Sequence, residues 1–228
     1  MVYFTSDLHF NHNKIMQYSQ AFRNFDNDVE KMNRGLIELW NDTVTSNDDV
    51  YNLGDFSLSS SMSRILPIAQ KLKGRHHFIL GNHDYSIKKK KDELLAMRKD
   101  DGNPLFSSIK PYSLRRFERE DGSVVTVALS HYPIFEWEEG QSGSIMLHGH
   151  IHDFISPIPG KILNVGYDLH GYLLSLDDVL NYVGHLPNLS HHNKDKCGVN
   201  LANTIESRKQ WIRDKIVENN RGYEVYAH

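Results

Sequence analysis

The feature that most constrains this chain is a unit that recurs along it: a short apolar run, then a tight turn bearing Asp, Asn or His. "VYFT" at 2–5 leads to Asp7 and His9, and "VYNL" at 50–53 leads to Gly54-Asp55. "HFIL" at 77–80 leads to Gly81-Asn82-His83-Asp84, and the run ending "ALS" at 128–130 leads to His131. "SIML" at 144–147 leads to His148, His150 and His152. Short β-prone runs bounded by polar turns are strands. Alternate side chains of an extended segment share a face, so the three histidines of the last turn can converge. Polar groups gathered at the ends of strands predict an α/β fold whose strand ends aim at one edge.

The intervening segments fit this plan. Val29, Met32, Leu36, Leu39, Trp40 and Val44 recur at spacings of three to four, which predicts an amphipathic helix over 28–44. A second helix is expected over 65–72, with Pro67 in its first turn and Gly74 beyond its end. A third is expected over 92–99, with Lys88 to Lys91 as its solvated start. Asp121-Gly122 between two β-prone runs predicts a hairpin joining 112–117 to 123–129. A further strand is expected at 162–165.

The character changes after His185. The stretch to Asn203 is polar and aperiodic, and His191-His192 within it is read as a polar loop. Asn203-x-x-Glu206 has the form of a capping box, and Ile205, Trp211, Ile212 and Ile216 suggest a terminal helix. The expectation is a domain over 1–184 and a C-terminal extension over 185–228, packed on the domain or making an oligomer contact. The oligomeric state itself is left open.

Composition narrows the function classes. The chain has 228 residues and a formal net charge of −3, so nothing in its overall balance attracts nucleic acid. A single cysteine, Cys197, excludes a disulfide framework and leaves no Cys-based zinc or iron–sulfur site. No stretch approaches the roughly 18 apolar residues of a membrane span. The opening "MVYFTSDLH" turns polar at once and leaves no room for a signal peptide, so a cytoplasmic protein is expected.

Each turn taken alone is ordinary loop chemistry. All five together supply oxygen and imidazole donors directly after strands, without thiolates. That set suits Mn²⁺, Fe or Zn²⁺. Asp7, His9, Asp55, Asn82, His131, His150 and His152 make seven candidate ligands, more than one four-coordinate ion needs.

In this order and spacing, Asp7-x-His9, Gly54-Asp55, Gly81-Asn82-His83-Asp84, His131 and Gly149-His150-x-His152 resemble the calcineurin-like metallophosphoesterases. "FTSDLHFNHNKIM", "LGDFSL", "LGNHD", "LSHYP" and "NVGYD" are similar to a group of small bacterial and phage phosphoesterases. The resemblance covers residues 2 to about 179. It implies a two-sheet β-sandwich flanked by helices and a centre of two divalent ions, Mn²⁺ first, with Fe or Zn as alternatives. Asp7, His9 and His152 would hold one ion, and Asn82, His131 and His150 the other, with Asp55 bridging. His83 would protonate the leaving group as general acid, and Asp84 would orient it and favour its charged form. Two ions about 3.5–4 Å apart would clamp the phosphate and bring the pKa of a shared water toward about 7, producing the hydroxide that attacks phosphorus.

The substrate is less constrained. A small phosphodiester or nucleotide-like phosphate ester is the expectation. A phosphomonoesterase or nucleotidase, a nuclease or RNA-end-processing enzyme, and a silent protein-binding scaffold are the alternatives. His12 and Arg23, close after the first ligand turn, are the substrate-binding candidates. Arg34, Arg75, Arg115 and Arg116 are further candidates for a phosphate clamp, and Tyr132 and Trp137 for base stacking. His148 is expected to be structural or to support a ligand.

Overall fold

The computed structural model describes residues 1–189 and 204–219, in two compact units, Met1–Leu189 and Ser190–His228. Nine strands make two sheets in the first unit. One sheet has the order β4-β3-β2-β1-β9 and the other β5-β6-β7-β8. In chain order the strands are β1 Val2–Thr5, β2 Asp49–Asn52, β3 Arg75–Ile79, β4 Ser108–Lys110, β5 Tyr112–Glu118, β6 Val124–Ser130, β7 Ile145–His148, β8 Ile162–Asn164 and β9 Leu174–Ser175. β1 to β4 pair in parallel, and β9 closes that sheet antiparallel to β1. β5 and β6 form the antiparallel hairpin, after which β6, β7 and β8 run parallel.

The two-residue alternation of the strands builds the layers. Phe4, Tyr51 and Ile79 point between the sheets, where they meet Val127, Leu129, Ile145 and Leu147. Their neighbours Val50 and Phe78 point the other way, onto Met32, Leu36, Trp40, Ile65 and Ile68. The first sheet is therefore covered on both faces, as parallel sheets require. The result is two packed sheets flanked by helices, the architecture of the calcineurin-like metallophosphoesterases.

The helix Val29–Thr43 begins where Asp28 accepts hydrogen bonds from the amides of Glu30 (2.9 Å) and Lys31 (3.0 Å), which satisfies two donors of the first turn. Two expectations need correction. The second helix spans Met62–Lys71, so Pro67 lies in its interior rather than its first turn. Ser61 starts the helix, its carbonyl accepting from the amides of Arg64 and Ile65. The lysine run joins two short helices, Tyr85–Lys89 and Lys91–Ala96, and Lys99 lies beyond them, buried, donating to the carbonyls of Leu72 (2.8 Å) and Gly74. The strand β4, with only Ile109 apolar, has no apolar run of its own and pairs in parallel with β3.

In the second unit a helix spans Ile205–Asn219, and Thr204 and Ser207 exchange hydrogen bonds at its start. His191, His192, Cys197 and Asn203 lie outside the described residues. No helix among the described residues is long and apolar enough to cross a membrane.

Candidate metal centre

The C-terminal ends of β1, β2, β3, β6 and β7 meet at one edge, and the backbone there is unusual. Asp7 (φ 56°), His9 (49°), Asp55 (52°), His150 (71°) and His152 (52°) all occupy the left-handed region. For a side-chain-bearing residue this costs roughly 1–2 kcal/mol each. Such strain persists where the surroundings over-determine it, typically at functional sites. Here each turn is fastened to another. The Asp7 amide donates to the Gly54 carbonyl (3.0 Å), the His9 amide to the Asp55 carbonyl (3.0 Å), and the His150 amide to Asp7 Oδ2 (2.9 Å). Gly149 is needed for closeness: a Cβ there would stand 2.0 Å from Ser6 Oγ and 2.3 Å from Asp7 Oδ2.

The side chains gather into two groups, Asp7-His9-His152 and Asp55-His131-His150, each with its donor atoms within 4.8 Å of one another. Asp55 lies between them. Its Oδ2 is 3.7 Å from His9 Nε2 and 3.5 Å from His131 Nε2. Asp7 Oδ1 is 3.8 Å from His9 Nε2. Donors about 2.0–2.2 Å from a common ion stand roughly 3–4 Å apart, so these spacings fit shared metals. Asn82 Oδ1 approaches His131 Nε2 to 2.9 Å and adds a neutral oxygen to the second group.

A buried polar atom without a partner is rare and needs a cause. Asp7 Oδ1 and His9 Nε2 are two such atoms, both buried and both facing the middle of the site. Burial pushes His9 down to about 3, so its ring is neutral at pH 7 and its lone pair is available. Burial would raise Asp55, but the hydrogen bond and charge of His131 and the amide of His83 hold it at about 2. Burial raises Asp7. His131 Nδ1 meets the Leu53 carbonyl at 2.8 Å and His152 Nδ1 meets Asp168 Oδ2 at 2.7 Å, which leaves Nε2 of each ring for a ligand. Carboxylate oxygens, imidazole nitrogens and buried atoms without a partner, gathered in two groups, together fit divalent metal ions.

The remaining candidates divide. His83 is exposed; its amide donates to Asp55 Oδ1 (2.9 Å) and its Nε2 lies 3.9 Å from Asp55 Oδ2. Asp84 does not orient that ring. Its carboxylate faces inward and accepts from the amides of Gly81 (2.7 Å), Asp55 (2.8 Å) and Phe56 (3.0 Å), so it shapes two ligand turns instead. Burial pushes Asp84 up to about 6 against the pull of those amides. His12 sits at the rim, half-buried, its Nδ1 3.4 Å from His9 Nδ1. Tyr132 is half-exposed, with its ring edge-on to His150 at 4.7 Å.

Arg23 is a correction of a different kind. It is among the largest fully buried side chains and holds no position open to a substrate phosphate. Its guanidinium pairs with Asp168 through Nε and donates to the carbonyls of Asp7 (2.6 Å) and Leu8 (3.0 Å). Arg75 is held by Asp49, Arg116 pairs with Glu139, and Arg115 lies over the Tyr51 ring. Trp137 is buried and donates to the Ser144 carbonyl (3.1 Å). His148 is buried outside both groups, its Nδ1 2.8 Å from the Gly149 carbonyl. Asp168, the last residue of "NVGYD", is a functional neighbour that sequence reasoning passed over; its signal was a lone carboxylate just after a strand in a motif already noticed.

A model of the calcineurin-like phosphoesterases matches residues 1–221. The chain belongs to that family. Within it, the chain is similar to the gene 66 proteins of Mycobacterium phages L5 and D29, at 29% identity in both. The two matches cover 81% and 80% of this chain and 94% and 95% of those proteins. An uncharacterized protein of Methanocaldococcus jannaschii is 44% identical over 84 residues, 36% of this chain and 46% of that one. The crystal structure of a protein of unknown function from Aquifex aeolicus has the same fold, with a TM-score of 0.56 at 20% identity over 80% of this chain and 99% of that one.

Proposed function

We propose that this family member is a dinuclear, metal-dependent phosphoesterase that hydrolyses a phosphodiester or nucleotide phosphate ester. The observation that carries the proposal is the position of Asp55, one carboxylate oxygen within 3.7 Å of His9 Nε2 and 3.5 Å of His131 Nε2. A carboxylate so placed serves as a shared ligand for two ions. Asp7, His9 and His152 would hold one ion, and Asn82, His131 and His150 the other. Two bound divalent ions supply Lewis-acid activation of phosphate and water, and Mn²⁺ is the ion we would load first.

The chain's own groups do the rest. His83 is anchored through its amide to Asp55 Oδ1, which fixes the backbone from which its exposed ring projects beside the shared carboxylate. The exposed ring takes a proton from solvent and gives it to the departing alkoxide. His12, at the rim beside His9, is positioned to donate to a phosphate oxygen. The half-exposed face of Tyr132 beside His150 offers a surface on which a base can stack, which favours a nucleotide-like leaving group.

The test is hydrolysis of bis-p-nitrophenyl phosphate and p-nitrophenyl phosphate by protein stripped of metal and reloaded with Mn²⁺. Metal-dependent turnover that falls about 10²-fold or more in His83→Ala, with bound metal unchanged, is the expected result. Preference for the monoester would replace the diester reading with a phosphatase. No turnover with either ester or with a single-stranded oligonucleotide would overturn the enzyme reading.

A further inference from the structure

Arg23 and Asp168 stand 145 residues apart in sequence and meet with both side chains fully buried. Burying an ion pair is costly, and breaking one by removing a single partner costs more. A pair like this is kept where it fixes something. Each end of this one touches the metal centre, and both ends touch the same half of it. Asp168 Oδ2 accepts a hydrogen bond from His152 Nδ1 at 2.7 Å. Arg23 donates to the backbone carbonyls of Asp7 at 2.6 Å and Leu8 at 3.0 Å, the two peptide groups that link Asp7 to His9. The pair therefore joins His152, delivered by β7, to Asp7 and His9, delivered by β1. Neither Arg23 nor Asp168 makes a described hydrogen bond or ion pair with Asp55, His131 or His150. The Tyr167 ring packs against the guanidinium at 5.0 Å and seals it from water.

We propose that the Arg23–Asp168 pair is a positioning device for one metal site only. It sets the ring angle and tautomer of His152, holds the left-handed Asp7–His9 turn against it, and so determines whether the Asp7-His9-His152 ion binds. This rests on the dinuclear reading above. Hydrogen-bond partners of metal ligands typically carry about 10–100-fold of metal affinity.

The experiment counts metal directly. Wild type, Asp168→Asn and Arg23→Lys are stripped, equilibrated with Mn²⁺ at a concentration that saturates wild type, and assayed for manganese per chain and by electron paramagnetic resonance. Wild type should hold two ions with a magnetically coupled spectrum. Asp168→Asn should hold one, with an uncoupled spectrum, and bind the missing ion about 10–100-fold more weakly. Arg23→Lys keeps the charge but loses the fork that reaches two carbonyls and Asp168 together, so it should fall between. Lys99→Met, which removes a buried cation bonded to the carbonyls of Leu72 and Gly74, should lower the melting temperature and keep both ions. Two ions with wild-type affinity in both Asp168→Asn and Arg23→Lys overturn the proposal and leave the dinuclear reading standing. Fewer than two ions in wild type overturn both. If Asp168→Asn does not fold, the Arg23→Lys stoichiometry decides alone.

Discussion

The two halves of the metal centre are braced in opposite ways. The Asp7-His9-His152 group is tied by side chains, an arginine and an aspartate from distant segments that close on each other in the interior. The Asp55-His131-His150 group is tied mainly by backbone. Asp84 collects three amides from the Gly54 and Gly81 turns, and the Leu53 carbonyl takes His131 Nδ1. Two side-chain partners give a joint that depends on a buried ion pair, so altering either leaves the other charge without its partner and frees the carbonyls of the Asp7–His9 turn. A carboxylate under three amides gives a joint that is part of the fold itself. Damage to either should cost stability, because both are buried, but each should weaken metal binding in a different half.

The largest effect is expected where the two halves meet. Asp55→Ala removes the oxygen they share, so Mn²⁺ should no longer raise the melting temperature and phosphodiester hydrolysis should fall at least about 10³-fold. Retention of two ions by this variant would mean that the halves do not depend on a common ligand. Next in size is Asp84→Ala. It leaves three backbone donors without their acceptor, each worth roughly 1–3 kcal/mol, so urea unfolding of the metal-free protein should show a loss of about 3 kcal/mol or more. Its metal loss should fall on the opposite half from that of Asp168→Asn, and loss of the same ion in both variants would remove the contrast between the two braces.

The smallest effect comes from His76, a buried histidine that belongs to neither half. His76 has no partner on either ring nitrogen and lies against Trp40, Phe56, Phe78 and Phe106. Burial holds its pKa well below the usual value. The unfolded chain therefore binds the proton more readily. Stability is intact above about pH 6.5 and falls with pH below it, by up to about 1.4 kcal/mol per pH unit, until the folded pKa is reached. Unfolding measured from pH 7.5 to 5 should be less pH-dependent in His76→Leu by that slope. An identical slope in both proteins would mean that His76 is not kept neutral by its apolar surroundings. The histidine also sharpens what marks a ligand. His9 and His76 are both buried and both lack a hydrogen bond at Nε2, but only His9 has carboxylate oxygens from Asp7 and Asp55 within 3.8 Å.

Much of this protein could be read from its residues in order. Apolar runs of four or five residues predict strands because a pleated segment buries every second side chain, and the polar turns after them mark the edge where ligands gather. Asp7, His9, Asp55, His131, His150 and His152 follow from that pattern, and the Asp121-Gly122 hairpin follows from turn chemistry. What escaped was decided by partners far along the chain. Nothing local in "AFRNF" distinguishes an arginine that greets a phosphate from one buried under Asp168. "GNHD" does not say that its aspartate turns inward to three amides while its histidine turns outward. Left-handed backbone at five candidate ligand positions is a minority conformation even for Asp and His, so no propensity could foresee it. The sequence alone determined which groups are available for chemistry and that strand ends would present them. Only the tertiary structure decided which of those groups face the centre and which hold it in shape, because buried charges and strained turns are stable only where distant segments meet them.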